Sequence, residues 1–430
     1  GRCGGTVSLA SGATQSGFGR TGTVDWDTSI KTGTVTAVSG SGYFVDTTSG
    51  AITVNLPAAA VGSIVAVSDY ASTAASNNII ISPNGSEKIN AVNDIYTIRT
   101  AGLAVTLVYA DATRGWKSVT GSDADAVGVV PAYIAATGGT PCSGAIVCTN
   151  YKVHTFTGPG TFCVSAGAGP LALADYMVVA GGGGGAGRAS GGGGAGGYRE
   201  SNGTASGCYT TSPLGTTPTT VPALTLSPGG YPIVVGGGGA GGSPPGEKVG
   251  VNGSTSTFST IDSAGGGGGS GGGCVGSGGS GGGGSYGGAT GAGNTPPTTP
   301  PQGNNGGAAS GVLHNGSGGG GAGAVGVVGT APTAGAGGAG VTTSINATPT
   351  VRAGGGGGAS FYSPNPAPGG AGGSGGGGAG APGTPSGAIG TAGSANTGGG
   401  GGSGQTGSCP AAGCGGLGGS GIVIIRYKFQ

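Results

Sequence analysis

Charged side chains are scarce in this sequence. Of its 430 residues, 6% are charged, and the formal net charge at pH 7 is +1. A nucleic-acid-binding surface needs a basic patch, so the charge balance argues against nucleic acid as a partner. Disordered chains stay solvated through high charge and low hydrophobicity, so simple disorder also fits this composition poorly.

Carboxylates are missing from the C-terminal part of the chain, since the last acidic residue is Asp262. Glycosidases need paired carboxylates, and calcium sites need carboxylate oxygens. The two histidines are His154 and His314, and His154 lies in an alternating strand pattern that favours a structural role. The sequence therefore predicts no catalytic residue, no metal site and no cofactor.

Long apolar runs are also missing. No stretch approaches the roughly 20 apolar residues of a membrane helix, so the chain is not expected to insert into a membrane. The eight cysteines contain no Cys-x-x-Cys spacing, which argues against a zinc site. Two close pairs, Cys142 with Cys148 and Cys409 with Cys414, are candidates for small disulfide loops. The alternative of buried free thiols stays open.

Glycine is what the sequence has in abundance, with 116 residues, of which 96 follow residue 150. The glycines come in blocks of three to five rather than at every third position, which excludes collagen. Such blocks are either flexible linkers or ordered polyglycine II helices that exchange backbone hydrogen bonds. Strand-like segments such as "LADYMVVAG" and "YPIVVGGGG" lead directly into blocks. A strand can set the register of the following helix, so ordered helices are favoured.

The remaining sequence predicts short strands and no helical periodicity. Residues 31–120 resemble a compact β-sandwich-like domain, preceded by an extension or linker at 1–30. Residues 121–150 are predicted to be a connector, and 151–430 a glycine-rich module. The predicted fold class is therefore all-β plus polyglycine II, with essentially no α-helix.

The C-terminal segment "GIVIIRYKFQ" is the densest apolar run of the glycine-rich part. Its first residues are apolar on both faces of a strand, so residues 422–425 are predicted to be buried on both sides. We expect this strand to pair with Tyr176–Val179 or with Tyr231–Val235.

A family resemblance rests on the order of these elements: "VHTFTGPGTFCV", "ADYMVVAGGGGGAG", "GGGGAGGYRE", "LSPGGYPIVVGGGGAGG" and "GGSGIVIIRYKF". Over about 151–430 this order resembles the glycine-rich domain of bacteriophage tail-fibre proteins and adhesins. Over about 40–117, "GYFVDTTSGAITVNLP" and "LVYADATRGW" are similar to a β-domain of phage structural proteins. The resemblance implies polyglycine II helices packed between β-elements, with loops that contact host receptors.

Loops between the glycine blocks carry most of the aromatic residues of this half. Tyrosine offers rigid contact area at a low entropy cost, which suits glycans and outer-membrane proteins as receptors. The alternative is that these side chains cover the flanks of the helix bundle. The candidate receptor-binding residues are Tyr209, Tyr286, His314, Phe361 and Tyr362.

The sequence as a whole favours a virion tail-fibre or tail-tip protein that binds the host surface and is not an enzyme. Its expected partners are a host glycan or outer-membrane protein, other tail proteins, and further copies of itself in a trimer. A second interpretation is a glycine-rich filament or surface protein of a bacterium, assembling through β-edges. A third is a secreted enzyme whose catalytic domain lies outside this segment.

Overall fold

The computed structural model divides the chain into two compact units, Gly1–Val130 and Pro131–Gln430. The residues that the structure describes are 24–120, 132–188, 190–203, 205, 207–215, 221–243, 249–285, 287–309, 315–361, 367–384, 387–405 and 415–430.

The described residues of the first unit form nine short strands. They are β1 (Asp25–Lys31), β2 (Val35–Thr36), β3 (Ser41–Val45), β4 (Ile52–Asn55), β5 (Ile64–Asp69), β6 (Ile79–Ser82), β7 (Tyr96–Ile98), β8 (Ala104–Asp111) and β9 (Gly115–Thr120).

Two sheets enclose the core of this unit, in the orders β1-β3-β5-β8-β9 and β2-β4-β6-β7. The first six strands alternate between the sheets, and within each sheet they pair in parallel. Strands β3 and β4, which flank the Thr-Thr-Ser-Gly turn, therefore lie in different sheets. Val45, Val54, Ile79 and Trp116 belong to one buried cluster shared by both sheets. The two-sheet packing agrees with a sandwich-like domain, but the parallel winding was not predicted.

Two predicted boundaries differ from the positions of the strands. Strand β1 begins at Asp25 and pairs with β3, so the end of the predicted 1–30 extension belongs to the first unit. Residues 132–137 and 140–147, predicted as connector, form strands that pair within the second unit. Their small side chains gave no clear strand pattern, whereas their backbone groups still find partners in a sheet.

In its described residues, the second unit contains thirteen strands and one short 3-10 turn at Gly169–Leu171. The strands are β10 (Ala132–Thr137), β11 (Thr140–Val147), β12 (Tyr151–Phe156), β13 (Gly160–Ala168), β14 (Leu173–Val179), β15 (Tyr198–Glu200), β16 (Leu224–Thr225), β17 (Gly229–Val234), β18 (Ser256–Phe258), β19 (Ile261–Ser263), β20 (Val341–Thr343), β21 (Thr350–Arg352) and β22 (Ile422–Lys428).

The C-terminal strand β22 lies in the middle of the sheet β11-β12-β22-β14-β15. Its pairing with β14 confirms the predicted contact with Tyr176–Val179, whereas Tyr231–Val235 is not its partner. The other neighbour, β12, was not predicted. Val423 and Ile425 pack in one buried cluster, and Ile422 and Ile424 in another, so the strand is buried on both faces as expected.

The glycine blocks form hydrogen-bonded rods with a repeat of three residues. In the rod 181–186, successive N–H groups donate to three different neighbouring segments, and every third residue returns to the same segment. This is the register of a three-residue-per-turn polyglycine II helix. The pairs are Gly181 and Gly184 with Ser254 and Val251, Gly182 and Gly185 with Gly419 and Gly416, and Gly183 and Ala186 with Gly194 and Gly191.

The neighbouring rod, 191–197, repeats the three-residue pattern, and it has both an antiparallel and a parallel neighbour. Gly191, Gly194 and Gly197 donate to Ser270, Gly267 and Ala264, whose numbers fall as the first set rises. This neighbour is therefore antiparallel. Gly192 and Ala195 donate to Ser317 and Gly320, whose numbers rise together, so that neighbour is parallel. The predicted bundle of parallel and antiparallel polyglycine helices is thus present in the structure.

Strands and rods are joined by hydrogen bonds as well as by chain continuity. Ser256 Oγ on β18 donates to the carbonyl oxygen of Val179 at 2.8 Å and accepts the N–H of Gly236 at 2.8 Å. This hydroxyl links the end of β14 to the start of another rod. The strands therefore fix the positions at which the rods begin.

Regular helix is confined to one 3-10 turn in the described part of the chain, which confirms the predicted all-β class. None of the helices in that part is long and apolar enough to cross a membrane.

Candidate binding groove

A surface groove of about 520 Å³ lies between a loop and a hairpin of the second unit. The loop wall is the segment 207–215, which follows β15. The hairpin wall consists of β20, β21 and their connection. The lining residues are Thr210, Thr211, Pro213, Thr342, Thr343, Ser344 and Pro349.

Direct hydrogen bonds join the two walls, although they are more than 130 residues apart in sequence. The N–H of Thr210 donates to Ser344 Oγ at 2.8 Å. In return, the N–H of Ser344 donates to the carbonyl oxygen of Thr210 at 3.0 Å. The reciprocal pair fixes the distance between the walls at this end of the groove.

A buried carboxyl group, Glu200 at the end of β15, accepts hydrogen bonds from both walls. Its Oε1 accepts the hydroxyl of Thr343 at 2.5 Å, and its Oε2 accepts the N–H of Ser212 at 3.0 Å. The hydroxyl of the buried Tyr198 also donates to Oε2, at 2.9 Å. Burial raises the pKa of the Glu200 carboxyl, against the opposing effect of these donors. Burial similarly raises the pKa of Tyr198, with the Glu200 charge adding to it.

A buried guanidinium, Arg426 on β22, donates hydrogen bonds to the same two walls. Its Nη1 donates to the carbonyl oxygen of Ile345 in the hairpin wall at 3.1 Å. Its Nη2 donates to the carbonyl oxygen of Gly207 in the loop wall at 2.8 Å. The guanidinium carbon lies 5.0 Å from the ring centroid of Tyr151 and 5.1 Å from that of Tyr209. Cation–π contacts thus supplement its hydrogen bonds.

The groove presents hydroxyl groups, threonine methyl groups and proline rings to a ligand. Its lining residues carry no ionisable side chain. Glu200 and Arg426 are 2% and 0% exposed, so they shape the groove without reaching into it. Such a surface can hydrogen-bond to hydroxyl or amide groups of a ligand and pack against its apolar faces. It therefore suits a ligand of low charge.

Of the predicted receptor-binding residues, Tyr209 lies beside the groove. It is half-buried, adjacent in sequence to the lining residue Thr210, and its ring stacks on Arg426. Phe361 is half-buried at the end of another rod, where its N–H donates to Asn315 Oδ1 at 3.0 Å, and it does not line the groove. Tyr286, His314 and Tyr362 lie outside the described residues.

The predicted loop disulfide between Cys142 and Cys148 is not formed in the structure, where both side chains are free and exposed. Their exposure does not fit the alternative of buried thiols. The β11–β12 hairpin places Cys148 at its turn and Cys142 within β11. Cys409 and Cys414 lie outside the described residues.

His154 has the structural position that its strand pattern predicted. It is fully buried on β12, with Nδ1 2.7 Å from the carbonyl oxygen of Gly138 and Nε2 3.0 Å from the hydroxyl of Tyr427. Burial lowers the pKa of its imidazole. Within the described ranges, no group of three or more His, Cys, Asp or Glu side chains is placed to hold a metal ion.

The residues that organise the groove were missed by sequence reasoning, although two of them carried a signal. Arg426 is a charge within the densest apolar strand, and Glu200 is one of few carboxylates in the glycine-rich half. A charge in such surroundings is expected to be paired or hydrogen-bonded. Thr210 and Ser344 gave no signal, because their proximity arises only in the fold.

Comparison with known proteins places the rods and strands in a family. A search of curated proteins finds no relative of this chain. A family model described as a glycine-rich domain matches residues 155–428, from β12 to the end of β22. The match covers more than half of the chain and includes the rods, both groove walls, Glu200 and Arg426. The chain therefore belongs to the glycine-rich domain family.

Proposed function

We propose that this protein is a structural component of a virion tail fibre or tail tip that attaches the particle to its host cell. Its role is binding rather than catalysis. The glycine-rich module serves as a rigid support, and the groove beside Tyr209 contacts a glycan or an outer-membrane protein. As a component of the virion tail, the protein is extracellular.

The observation that carries the proposal is the double anchoring of the groove. Glu200 bonds to Ser212 in the loop wall and Thr343 in the hairpin wall. Arg426 bonds to both walls from β22. A binding surface that is held in shape before the ligand arrives loses less conformational entropy on binding. The low-charge, hydroxyl-rich lining suits a sugar or a loop of a membrane protein.

A groove-filling substitution tests the binding role. Thr342 lines the groove and is exposed on β20, so Thr342→Trp would occupy the space with little effect on the fold. The fluorescently labelled full chain is incubated with a panel of bacteria, and bound protein is measured by flow cytometry. We expect at least one strain to bind the wild-type protein, and Thr342→Trp to reduce that binding about tenfold.

The matched control is Val325→Trp, which adds the same side chain at a position that is 58% exposed and does not line the groove. This variant should bind like the wild type. Equal binding by Thr342→Trp and Val325→Trp would contradict the role of the groove.

The virion location and the partners need their own measurements. Antibodies against the chain, detected by immunogold electron microscopy, should label the tails of virus particles and leave the capsids unlabelled. Light scattering of the purified protein should give the mass of a trimer, the expected assembly of a fibre. Labelling of capsids alone, or of no particle, would contradict the proposed location.

A bacterial filament or surface protein is the second candidate, favoured by one exposed sheet edge. Among the described residues, strand β1 pairs with one neighbour, β3, and it carries Trp26 and Ile30 at 40% and 38% exposure. An exposed edge strand with apolar side chains can pair with another chain. Free filaments in negative-stain images, without any particle attached, would favour this candidate over the first.

A further inference from the structure

Two cysteines are in contact at the loop wall of the groove. Cys148 lies at the turn between β11 and β12, and Cys208 lies in the loop wall, 60 residues further along the chain. Cys148 Sγ donates to the carbonyl oxygen of Cys208 at 3.6 Å. A hydrogen bond with the Cys148 side chain raises the pKa of the Cys208 thiol.

Both thiols are accessible, and both cysteines have an unusual backbone conformation. The side chains are exposed and unlinked, so a soluble oxidant can reach them. Their φ angles are 46° for Cys148 and 66° for Cys208. Non-glycine residues rarely adopt this left-handed region, and at Cys148 it is part of the turn between β11 and β12. Glycine or asparagine would fit either turn at a lower cost.

We propose that Cys148 and Cys208 are a disulfide-forming pair that clamps the loop wall to the β11–β12 turn. The oxidant is a low-molecular-weight disulfide such as oxidised glutathione. One cysteine thiolate attacks it, forms a mixed disulfide and releases one glutathione thiol. The second cysteine thiolate then attacks the protein sulfur of the mixed disulfide and releases the other. Two cysteine thiols are oxidised, one glutathione disulfide is reduced to two thiols, and the protons balance.

The clamp would add a covalent tie to a loop that is already held by hydrogen bonds. Arg426 bonds to the carbonyl oxygen of Gly207, the residue before Cys208. Thr210, two residues after it, pairs with Ser344. Cys208 lies between these two attachments. A disulfide there reduces the conformational entropy of the unfolded loop and so stabilises the folded state. It would do so whether or not the groove binds a host receptor.

Peptide mapping of the oxidised full chain tests the pairing. Trypsin places both Cys142 and Cys148 in the peptide 118–152, so the experiment uses the Cys142→Ser variant. The peptide 200–248 contains Cys208 as its only cysteine. The purified chain is treated with oxidised glutathione, its remaining thiols are alkylated, and it is digested without reduction. We expect the two peptides to be joined, with a mass two hydrogen atoms below their sum.

Two further variants and a melting curve complete the test. Cys208→Ser should abolish the linked peptide, whereas Cys274→Ser, at another exposed free cysteine, should leave it intact. The oxidised protein should melt at a higher temperature than the reduced protein, and Cys208→Ser should show no such difference. Recovery of both peptides in alkylated form, or of Cys148 joined to a different cysteine, would overturn the proposal. So would a melting temperature that does not respond to reduction.

Discussion

At the scale of single residues, two buried charges determine the shape of the groove. Glu200 and Arg426 belong to different strands, and each forms hydrogen bonds to both walls. A buried charged group is costly unless it is hydrogen-bonded, so these two side chains favour the arrangement of the walls that provides their hydrogen bonds. Titration of Glu200, and removal of either side chain, should therefore affect the groove more than the rods.

The raised pKa of Glu200 predicts a specific pH dependence. A carboxyl group with a folded-state pKa above its ordinary value stabilises the fold below that ordinary value, and this contribution is lost as the pH rises through the folded-state pKa. Glu200→Gln removes the titration while keeping an acceptor for Ser212 or Thr343. The free energy of unfolding should therefore decline with rising pH more steeply in the wild type than in the variant.

The measurement is urea unfolding of both proteins from pH 4 to pH 8. The difference between their free energies of unfolding is used, because the contributions of the other carboxyl groups cancel in it. Tyr198, Tyr209 and Arg352 are the charged or titratable neighbours whose interaction with Glu200 the structure records, and all three stay in place. Parallel stability curves for the two proteins would contradict the raised pKa.

Removing the Arg426 guanidinium should loosen both walls. Arg426→Met keeps much of the buried volume but leaves the carbonyl oxygens of Ile345 and Gly207 without this donor. We expect a loss of about 1–3 kcal/mol in the free energy of unfolding, and faster hydrogen exchange in the segment 207–215. Arg188→Met, at an exposed position of the same unit, is the control and should change neither quantity. Unchanged exchange in Arg426→Met would contradict its positioning role.

At the scale of elements, the glycine rods depend on the absence of side chains. A Cβ added at Gly267 would overlap the carbonyl oxygen of Gly276 in an adjacent segment. Backbone atoms of a packed rod cannot move aside as a flexible side chain could. The same substitution at Gly237 meets no atom within 4 Å. The two positions therefore separate the effect of rod packing from that of glycine replacement itself.

Alanine substitutions at these two glycines test the packing of the rods. Gly267→Ala should destabilise the second unit by about 4 kcal/mol or more. Gly237→Ala should be neutral or stabilising by about 0.4–1 kcal/mol, because alanine restricts the unfolded chain. Thermal and urea unfolding of both variants gives the comparison. Equal stabilities would contradict close packing between the rods.

The sequence was informative about elements and less so about their partners. The low charge and the strands leading into the blocks correctly indicated ordered polyglycine helices, and the apolar pattern of 422–425 indicated a strand buried on both faces. Its second neighbour β12 was missed, because pairing across some 270 residues leaves no local pattern. Strands β1 and β10 were missed for a different reason, since their side chains are too small or too polar to show a clear alternation. The groove depends on such distant contacts and could not be predicted.

At the scale of the whole molecule, the second unit depends on its C-terminal strand. Burying the four aliphatic side chains at 422–425 contributes roughly 6–12 kcal/mol before opposing terms. This is comparable to the net stability of a typical domain, about 5–15 kcal/mol. The rods themselves bury little apolar area. The strand β22, between β12 and β14, therefore supplies a large part of the stabilisation of the unit.

Deletion of residues 422–430 should unfold the second unit and leave the first intact. The first unit has its own buried cluster, with Val54, Ile79 and Trp116 in its centre. Limited proteolysis followed by mass spectrometry should then give a resistant fragment that covers residues 24–120, with rapid cleavage elsewhere. Resistance of the glycine-rich module in the truncated protein would show that the rods are stable without the strand.

The central claim is that the glycine blocks are an ordered, mutually hydrogen-bonded scaffold, and amide hydrogen exchange of the intact protein tests it most directly. The N–H groups of the rods 181–186 and 191–197 donate to neighbouring segments in a threefold register. Their exchange should therefore be slowed about a thousandfold or more relative to unstructured glycine peptides, approaching the protection of β22. Exchange of these amides at the rate of an unstructured peptide, while β22 remains protected, would contradict the account.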